Sequence, residues 1–475
     1  MNKNKFIALA LATTLCVPFS ACSFFEKETT SEGGEISTEI EEVTAELPSG
    51  NKHILIYSYN EDFKEIFEDF YLKDHPLPDG YTYEFVVTPK AGGKYQSTLD
   101  NALEDKEKID IFLVEPDYAM KYINSDITKS VTSLGISSLD LSNQYAYTTA
   151  LGTSDDGVLK GLSWQIAPGA FVYRRSIAKE ILGTDEPQIV SQSLDSWDKF
   201  NSIASEVSKS GKYKMLAGYD DSFRVFQQNS SEPWVDDNLN IQIPPEVTKW
   251  VEQTKTFTLN GFNNKAELFS EAWISGQTSS GNVFGYFLSP WGVEEMLANN
   301  SLDVLPENGG EYASGNGIYG DWAIIEAPQS YYWGGSWLCA SKYADDIDIV
   351  SDVFKYFTTE TTYMTAHSLS TGELVNNRAS MSDIISGSNP ASGVLDNQNS
   401  WQIYNKVADN ITCDNRTPYD QYLNEEFQKQ MHNYFNGTVE YNAALNAFYA
   451  AVHEVYPELK YKELPVTVAE TTPQS

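Results

Sequence analysis

The stretch 331–358 constrains the fold more than any other part of the sequence. It opens with three aromatic residues and the pair Gly334-Gly335, which lets the backbone turn tightly or approach a ligand closely. The run at 336–340 then predicts a short buried strand. Apolar residues at helical spacing follow, namely Ile347, Val350, Phe354 and Phe357. An aromatic corner that leads into a buried strand and an amphipathic helix is typical of an α/β core.

The beginning of the globular region alternates between strand and helix patterns. Short apolar runs predict strands at 54–57, 83–87 and 109–114. Helical patterns follow each of them, at 63–71, 94–103 and 118–123. Asn60 is a candidate cap for the first helix. The alternation predicts a parallel sheet, and ligands of such sheets lie beyond the carboxyl ends of the strands. Residues 58–61 and 115–117 should therefore lie close together at the carboxyl edge of this sheet.

Several short motifs, taken in order, resemble those of a known family. They are I-D-I-F with a following Asp at 109–117, GVLKGLSWQI at 157–166, SWDKF at 196–200, WISG at 273–276, PWG at 290–292, WGGSWLCASK at 333–342 and LSTGELVNN at 369–377. The last lacks the proline of the family pattern. Together they resemble the extracellular carbohydrate-binding proteins of ABC importers (solute-binding family 1, maltose-binding-protein-like). The resemblance covers about residues 52–456.

This resemblance implies an α/β, two-lobe periplasmic-binding-protein-like fold of type II. Each lobe would be a mostly parallel sheet flanked by helices, with hinge crossings between the lobes near 157–166, 327–335 and 369–377. The expected N-terminal lobe consists of 51–160 and 335–372. The expected C-terminal lobe consists of 161–334 and 373–460, and 461–475 would form a polar tail.

The first 21 residues are typical of a bacterial lipoprotein signal peptide. Lys3 and Lys5 precede an apolar run at 6–17, which is too short to span a bilayer. The segment 19–22, Phe-Ser-Ala-Cys, resembles a lipobox with Phe in place of the usual Leu. It implies cleavage before Cys22 and lipidation of its thiol, which would anchor the protein at the outer face of the cell membrane. The alternative is plain secretion with Cys22 unmodified.

The segment that follows the lipobox, 22–50, is a predicted acidic tether. It contains eight glutamates and few large apolar residues after Phe25, so it cannot bury enough apolar surface to fold. No role beyond spacing the body from the membrane is needed.

Composition and motifs argue against several other functions. A formal net charge of -35 argues against nucleic-acid or anionic-membrane binding. The five histidines show no metal spacing, and no G-x-S-x-G elbow occurs. The segment 315–320, GNGIYG, matches the dinucleotide fingerprint, but no strand precedes it and no helix clearly follows. We therefore expect no metal, no cofactor and no catalytic activity.

Two cysteines of the body, Cys339 and Cys413, leave two alternatives open. In an oxidising compartment they would be able to form a disulfide. Two buried free thiols fit the sequence equally well.

Reversible sugar recognition is the function that the sequence favours. A pyranose has an apolar face, which aromatic rings cover, and a rim of hydroxyls, which polar side chains bind. The predicted rings are Tyr59, Trp164, Trp291, Trp333 and Trp337. The predicted polar rim is Asn60, Glu61, Asp117, Gln165 and Arg378. Each Trp has core packing as its alternative role; Glu61 has a place in a first helical turn and Arg378 a surface ion pair.

The resemblance implies a monomeric binding protein that closes on a sugar and delivers it to a membrane permease. The number of candidate rings favours an oligosaccharide. Two other functions remain open at this point. One is a lipid-anchored glycan hydrolase that uses Glu61 or Asp62 with Asp117 as its carboxylate pair. The other is a binding protein that serves a sensor or a surface glycan-capture complex.

Overall fold

The computed structural model describes residues 52–387 and 391–466. The signal peptide, Cys22, the acidic tether and residues 467–475 lie outside this range. The strands are β1 (Lys52–Ser58), β2 (Tyr81–Val87), β3 (Ile111–Val114), β4 (Gly161–Leu162), β5 (Ala170–Arg174), β6 (Leu216–Gly218), β7 (Asn263–Ala266), β8 (Gly285–Leu288), β9 (Trp322–Ile325) and β10 (Trp337–Ala340).

The helices that surround these strands alternate with them along most of the chain. Those before β6 are α1 (Asp62–Ile66), α2 (Leu72–Asp74), α3 (Lys94–Glu104), α4 (Pro116–Ile123), α5 (Ala146–Leu151), α6 (Arg175–Leu182), α7 (Pro187–Leu194) and α8 (Trp197–Lys209). The later ones are α9 (Phe223–Gln228), α10 (Pro245–Asn260), α11 (Glu271–Ser275), α12 (Ala298–Asn300), α13 (Ile347–Thr359), α14 (Thr361–Thr371), α15 (Arg378–Gly387), α16 (Ser400–Ala408), α17 (Asp420–Phe435) and α18 (Tyr441–Val455). In the described part of the chain, no helix combines the length and apolar character that a membrane crossing needs.

Each of the two lobes has a sheet at its centre. The first has the order β2-β1-β3-β10-β4, in which β10 alone runs antiparallel to its neighbours. In the second, β5 runs antiparallel between β8 and β9. The parallel pair β6-β7 continues this sheet through a parallel bridge between Lys214 and Val283. Both sheets are therefore mostly parallel, with one reversed strand, as the resemblance implied.

The antiparallel strand β10 follows β9 of the second sheet along the chain, but it belongs to the first sheet. There it pairs with both β3 and β4. Because β4 pairs with β10, residues 161–162 belong to the first lobe. These two residues lie just beyond the expected boundary after residue 160, and the division of the chain into lobes stays a prediction.

Three crossing segments, 163–169, 326–336 and 372–377, connect the lobes and are joined to one another by backbone hydrogen bonds. The Ile166 N–H donates to the Leu374 carbonyl at 2.9 Å, and Asn376 N–H donates to the Trp164 carbonyl at 2.8 Å. On the other side, Gly169 N–H donates to the Tyr331 carbonyl at 2.7 Å. The crossings therefore form one narrow strip of paired backbone rather than three independent linkers.

Local capping agrees with the sequence at one helix and differs at another. Ser196 caps α8, and its hydroxyl accepts from Lys199 N–H at 3.5 Å. Asn60 does not cap α1, whose first turn starts after Glu61 without a side-chain cap. The Asn60 amide donates to the Asp62 carboxylate instead.

The end of the chain is better packed than its polar composition suggested. Leu459 is buried, and Tyr461 stacks on Tyr449 of α18 with ring centroids 5.3 Å apart. Asn446 bonds the backbone of Leu464 in both directions. The described part of the expected tail, 461–466, therefore lies against the second lobe.

The buried carboxyl group of Asp110 makes the stability of the first lobe depend on pH. One of its oxygens accepts from Leu55 N–H at 2.9 Å, while the other has no partner among the described residues. Burial raises the pKa of Asp110 to about 6, against the opposing effect of the Leu55 hydrogen bond.

We expect the free energy of unfolding to fall as the pH rises from about 4 to about 6, because the folded state then holds a proton that the unfolded carboxyl has already lost. Urea denaturation at a series of pH values should show this slope for the native chain. Asp110→Asn, which cannot ionise, should have a smaller slope in the same window. Equal slopes for the two proteins would contradict the assignment.

Candidate functional site

The residues that follow β1, β2 and β3 contact one another at the carboxyl edge of the first sheet. The Lys90 ammonium, after β2, donates to Glu115 after β3 at 2.7 Å. It also lies 5.6 Å from the centroid of the Tyr59 ring, after β1. Burial raises the pKa of Glu115, although Lys90 opposes that shift. Parallel strands bring these side chains to one edge, which becomes one wall of the cleft between the lobes.

An ion pair connects this wall to the second lobe. Asp117, at the start of α4, accepts two hydrogen bonds from Arg224 of α9, at 2.9 and 2.7 Å. Burial alone would raise the pKa of Asp117, but the charge and hydrogen bonds of Arg224 outweigh it and lower that pKa. The carboxylate is therefore ionised, and both of its oxygens are engaged. The two side chains remain 39% and 30% exposed, so molecules in solution can reach the pair.

Three rings of the second lobe and the second crossing form an aromatic cluster, which we define as Phe269, Trp291 and Trp333. Trp291 and Trp333 meet edge to face with centroids 5.2 Å apart, and the Trp291 indole donates to the Trp333 carbonyl at 2.9 Å. Phe269 lies 5.6 Å from Trp333 and has a φ of 62°, which is rare for a bulky residue. Such backbone strain tends to occur at functional sites.

The glycine pair of the second crossing permits this arrangement. Gly334 has a φ of 88°, and a Cβ there would lie 3.0 Å from the Trp291 indole nitrogen. A larger residue would therefore push the two indoles apart. A π-helical turn, Gly292–Leu297, begins directly after Trp291, and such turns are frequent at functional sites.

The floor of the cleft is a short hydrogen-bond chain between the first lobe and two crossings. The Tyr59 hydroxyl bonds the Ser336 hydroxyl, which also accepts from the Gln165 amide at 3.2 Å. The ion pair adjoins the aromatic cluster, because the Arg224 guanidinium lies 5.3 Å from the Trp333 ring centroid. One region therefore contains five of the predicted residues, namely Tyr59, Gln165, Asp117, Trp291 and Trp333.

A group of acids from both lobes lies beside this region. Burial raises the pKa of Asp62, and the nearby Glu373 charge adds to the shift. Burial likewise raises the pKa of Glu295, with further increases from Asp62 and Glu373. Asp62 and Glu295 therefore accept protons more readily than free carboxylates, and each is an acceptor for hydroxyl groups when ionised.

Two predicted rings do not present a face to the cleft in this structure. Trp164 and Trp337 are each 1% exposed. The Trp164 indole donates to Glu373 at 3.2 Å and its ring packs on Phe63, while the Trp337 indole donates to the Thr148 carbonyl at 2.9 Å. Both rings pack the core at the crossings here, and their contact with a ligand stays a prediction.

The remaining predicted polar residues have mixed positions. Glu61 is exposed and pairs with Lys64 at 3.2 Å, within the first helical turn. Arg378 pairs with Asp409, donates to the Gln144 carbonyl and lies 4.7 Å from the Tyr145 ring centroid. Neither joins the ion pair or the aromatic cluster. Asn60 lies beside Tyr59, and its side-chain oxygen is buried with no partner among the described residues.

Sequence reasoning missed Lys90, Arg224 and Phe269. Lys90 follows a predicted strand, so the rule that ligands lie beyond the carboxyl ends of strands, which indicated Asp117, would also have indicated Lys90. Arg224 and Phe269 come from the irregular stretch of the second lobe, and no pattern in the sequence indicates which of its side chains face the first lobe.

The geometry gives no support to the catalytic alternatives. Among residues 52–387 and 391–466, no group of His, Cys, Asp and Glu side chains is arranged to hold a metal ion. The glycine-rich segment 315–320 leads into strand β9 rather than a helix. Both oxygens of Asp117 are bonded to Arg224, so this carboxylate is not free to act in the proposed hydrolase pair. Cys339 and Cys413 are both free thiols, which decides between the two alternatives left open by the sequence.

Comparisons with known proteins agree with this architecture. A family model described as bacterial extracellular solute-binding protein matches residues 65–391. No curated protein sequence matches the chain significantly.

Solved structures match over most of the chain at low identity. A protein described as extracellular solute-binding protein family 1 is 15% identical with a TM-score of 0.72, and the match covers 85% of this chain and 99% of that one. The sugar-binding protein MalE from Xanthomonas citri is 13% identical with a TM-score of 0.64, covering 86% and 98%. The galacto-N-biose-/lacto-N-biose I-binding protein from Bifidobacterium longum, in complex with lacto-N-biose, is 13% identical with a TM-score of 0.63, covering 86% and 98%.

Proposed function

Since this chain belongs to the bacterial extracellular solute-binding protein family, we propose that it captures a sugar between its two lobes and delivers it to the permease of an ABC importer. The family consists of binding proteins and not of enzymes, so release of the unchanged solute is the expected end of each cycle. The solute-binding role follows from family membership, whereas delivery to a permease and the identity of the sugar are the finer parts of the proposal.

The observation that carries the proposal is the meeting of Trp333 and Asp117 between the lobes. The guanidinium of Arg224 lies 5.3 Å from the Trp333 ring centroid while it bonds Asp117, so ring and carboxylate lie within reach of one small group. A pyranose needs this combination, because its C–H face packs on an aromatic ring while its hydroxyls bind carboxylates and amides. Tyr59, Asn60, Gln165 and Trp291 are the other proposed contacts.

Matched structures of the same fold hold sugars of one unit, such as alpha-D-tagatose, and of more than one unit. The bifidobacterial protein above was solved with lacto-N-biose, and another, from B. animalis subsp. lactis, with beta-1,6-galactobiose. The spread of the candidate contacts over both lobes and two crossings is consistent with an oligosaccharide. We propose this ligand class without assigning its linkage.

A thermal-shift screen against mono- and oligosaccharides tests the proposal. The chain from Ser23 onward is suitable, since it retains all described residues. A ligand present at a hundredfold over its Kd should stabilise the protein by about 2.7 kcal/mol, which gives a clear rise in Tm. The bound glycan should then be recovered intact by chromatography. A cleaved glycan would favour a hydrolase, and the absence of a shift with any sugar would overturn the sugar assignment.

We further propose that Cys22 carries a lipid that holds the protein at the outer face of the cell membrane. The expected result is that the native chain fractionates with membranes, whereas Cys22→Ser is released into the medium with its sugar affinity unchanged. Intact-mass measurement should show the acyl groups only on the native chain. Equal release of both proteins would favour plain secretion.

A further inference from the structure

Arg224 holds two partners that a bound sugar would need. Its guanidinium donates to both oxygens of Asp117, at 2.9 and 2.7 Å, and the plane of donors lies over Trp333 at 5.3 Å from the ring centroid. Trp333 is only 9% exposed. A ligand that stacks on the face of this ring beside Arg224 and takes both hydrogen bonds that Asp117 now accepts must therefore displace the guanidinium.

The shape of these contacts describes the ligand that would replace them. Two parallel N–H donors on a flat cation bind a carboxylate in a fork. Two equatorial hydroxyls on neighbouring carbons of a pyranose present a similar pair of donors, and the C–H face of the same ring is apolar and nearly flat. Such a diol would reproduce both the fork on Asp117 and the stacking on Trp333.

The pair also joins the lobes. Asp117 belongs to α4 of the first lobe and Arg224 to α9 of the second, and a neutral contact lies nearby, where the Gln96 amide donates to Gln421 of α17 at 2.9 Å. The Arg224 contacts therefore favour approach of the lobes in the absence of sugar, since they exist only when α4 and α9 are close. A ligand that binds by exchanging with Arg224 gains only the difference between the two sets of contacts.

We propose that Arg224 is a built-in competitor of the ligand, which holds the Trp333 face and the Asp117 carboxylate until a pyranose with an equatorial vicinal diol displaces it. The part of this inference that concerns the ligand rests on the proposed sugar-binding function. The part that concerns the lobes does not, because the contact between the lobes is a property of the chain alone.

The test compares the native chain with Arg224→Ala and with Lys212→Ala. Lys212 is the matched control: it pairs with Glu180 at 2.6 Å and lies 5.9 Å from the Tyr213 ring centroid, but all three residues belong to the second lobe. Arg224→Lys keeps the charge but loses the fork. Each protein is measured by small-angle X-ray scattering without sugar, and by calorimetric titration with the glycan found in the screen.

In the absence of sugar, Arg224→Ala should have a larger radius of gyration than the native chain, and Lys212→Ala should not. With sugar, Arg224→Ala should bind about tenfold more tightly, which corresponds to about 1.4 kcal/mol, and Arg224→Lys should fall between the two. Weaker binding by Arg224→Ala would overturn the proposal, because Arg224 would then be a contact of the ligand itself. An unchanged radius of gyration would overturn the inference that Arg224 holds the lobes together in the absence of sugar. If Arg224→Ala is expanded but no sugar binds any variant, the sugar assignment fails and the contact between the lobes stands.

Discussion

Replacing Trp333 by alanine should weaken sugar binding by at least thirtyfold, which corresponds to about 2 kcal/mol, the usual threshold for a dominant contact residue. Trp333 is the ring that both Trp291 and Phe269 contact, and it lies over the residues that connect the lobes. Its removal takes away the stacking surface and also leaves Trp291 without its edge-to-face partner. Calorimetric titration with the glycan from the screen measures the loss.

Trp333→Phe is the matched control, because it keeps an aromatic face at the same position. It should retain most of the affinity, and its melting temperature without sugar should resemble that of the native chain. If the alanine and phenylalanine variants lose affinity equally, the ring face is not what the ligand contacts. If Trp333→Ala binds as the native chain does, the site lies elsewhere in the cleft.

Gly169→Ala should destabilise the protein by about 3 kcal/mol or more, at the upper end of the usual cost of overpacking. A Cβ at Gly169 would lie 2.0 Å from the ring of Tyr331. The ring cannot move away easily, because Tyr331 is 1% exposed and its hydroxyl bonds the Ala170 and Leu288 carbonyls. The backbone cannot shift easily either, since Gly169 N–H bonds the Tyr331 carbonyl.

Urea denaturation of the sugar-free proteins measures this loss. Gly387→Ala is the control, because a Cβ there would have no neighbour within 4 Å among the described residues and the position does not need a positive φ. It should change the free energy of unfolding little. A similar loss in both variants would mean that the effect arises from glycine itself and not from the close approach of the two crossings.

The order of elements was predictable because it depends on local periodicity. The helix and strand patterns that flank Gly334-Gly335, and the position of Asp117 after a buried strand, follow from spacing alone. The burial of Trp164 and Trp337 was not predictable in the same way, since a Trp at a crossing has the same sequence pattern whether it faces the core or the cleft. Only the folded structure shows which side the ring faces, as the hydrogen bonds of these two indoles to Glu373 and Thr148 indicate.

The partner of Asp117 was beyond sequence reasoning for a different reason. Arg224 is 107 positions away, on a short helix within an irregular stretch. The sequence indicated that a carboxylate would face the cleft, but it contained no information about which cation would meet it. Pairing between lobes depends on the angle at which they close, and that angle is set by the crossings as a whole.

The position of β10 bears on when the protein is able to fold. Strand β10 completes the first sheet, yet Tyr59 and its partner Ser336 next to β10 are 277 positions apart. The first lobe therefore cannot close its sheet until the segment 163–336, which contains all strands of the second lobe, has been synthesised, and folding through such distant contacts is slow. A nascent chain whose first sheet closes this late remains unfolded for longer, which would suit export before folding if the protein reaches the proposed location outside the cell.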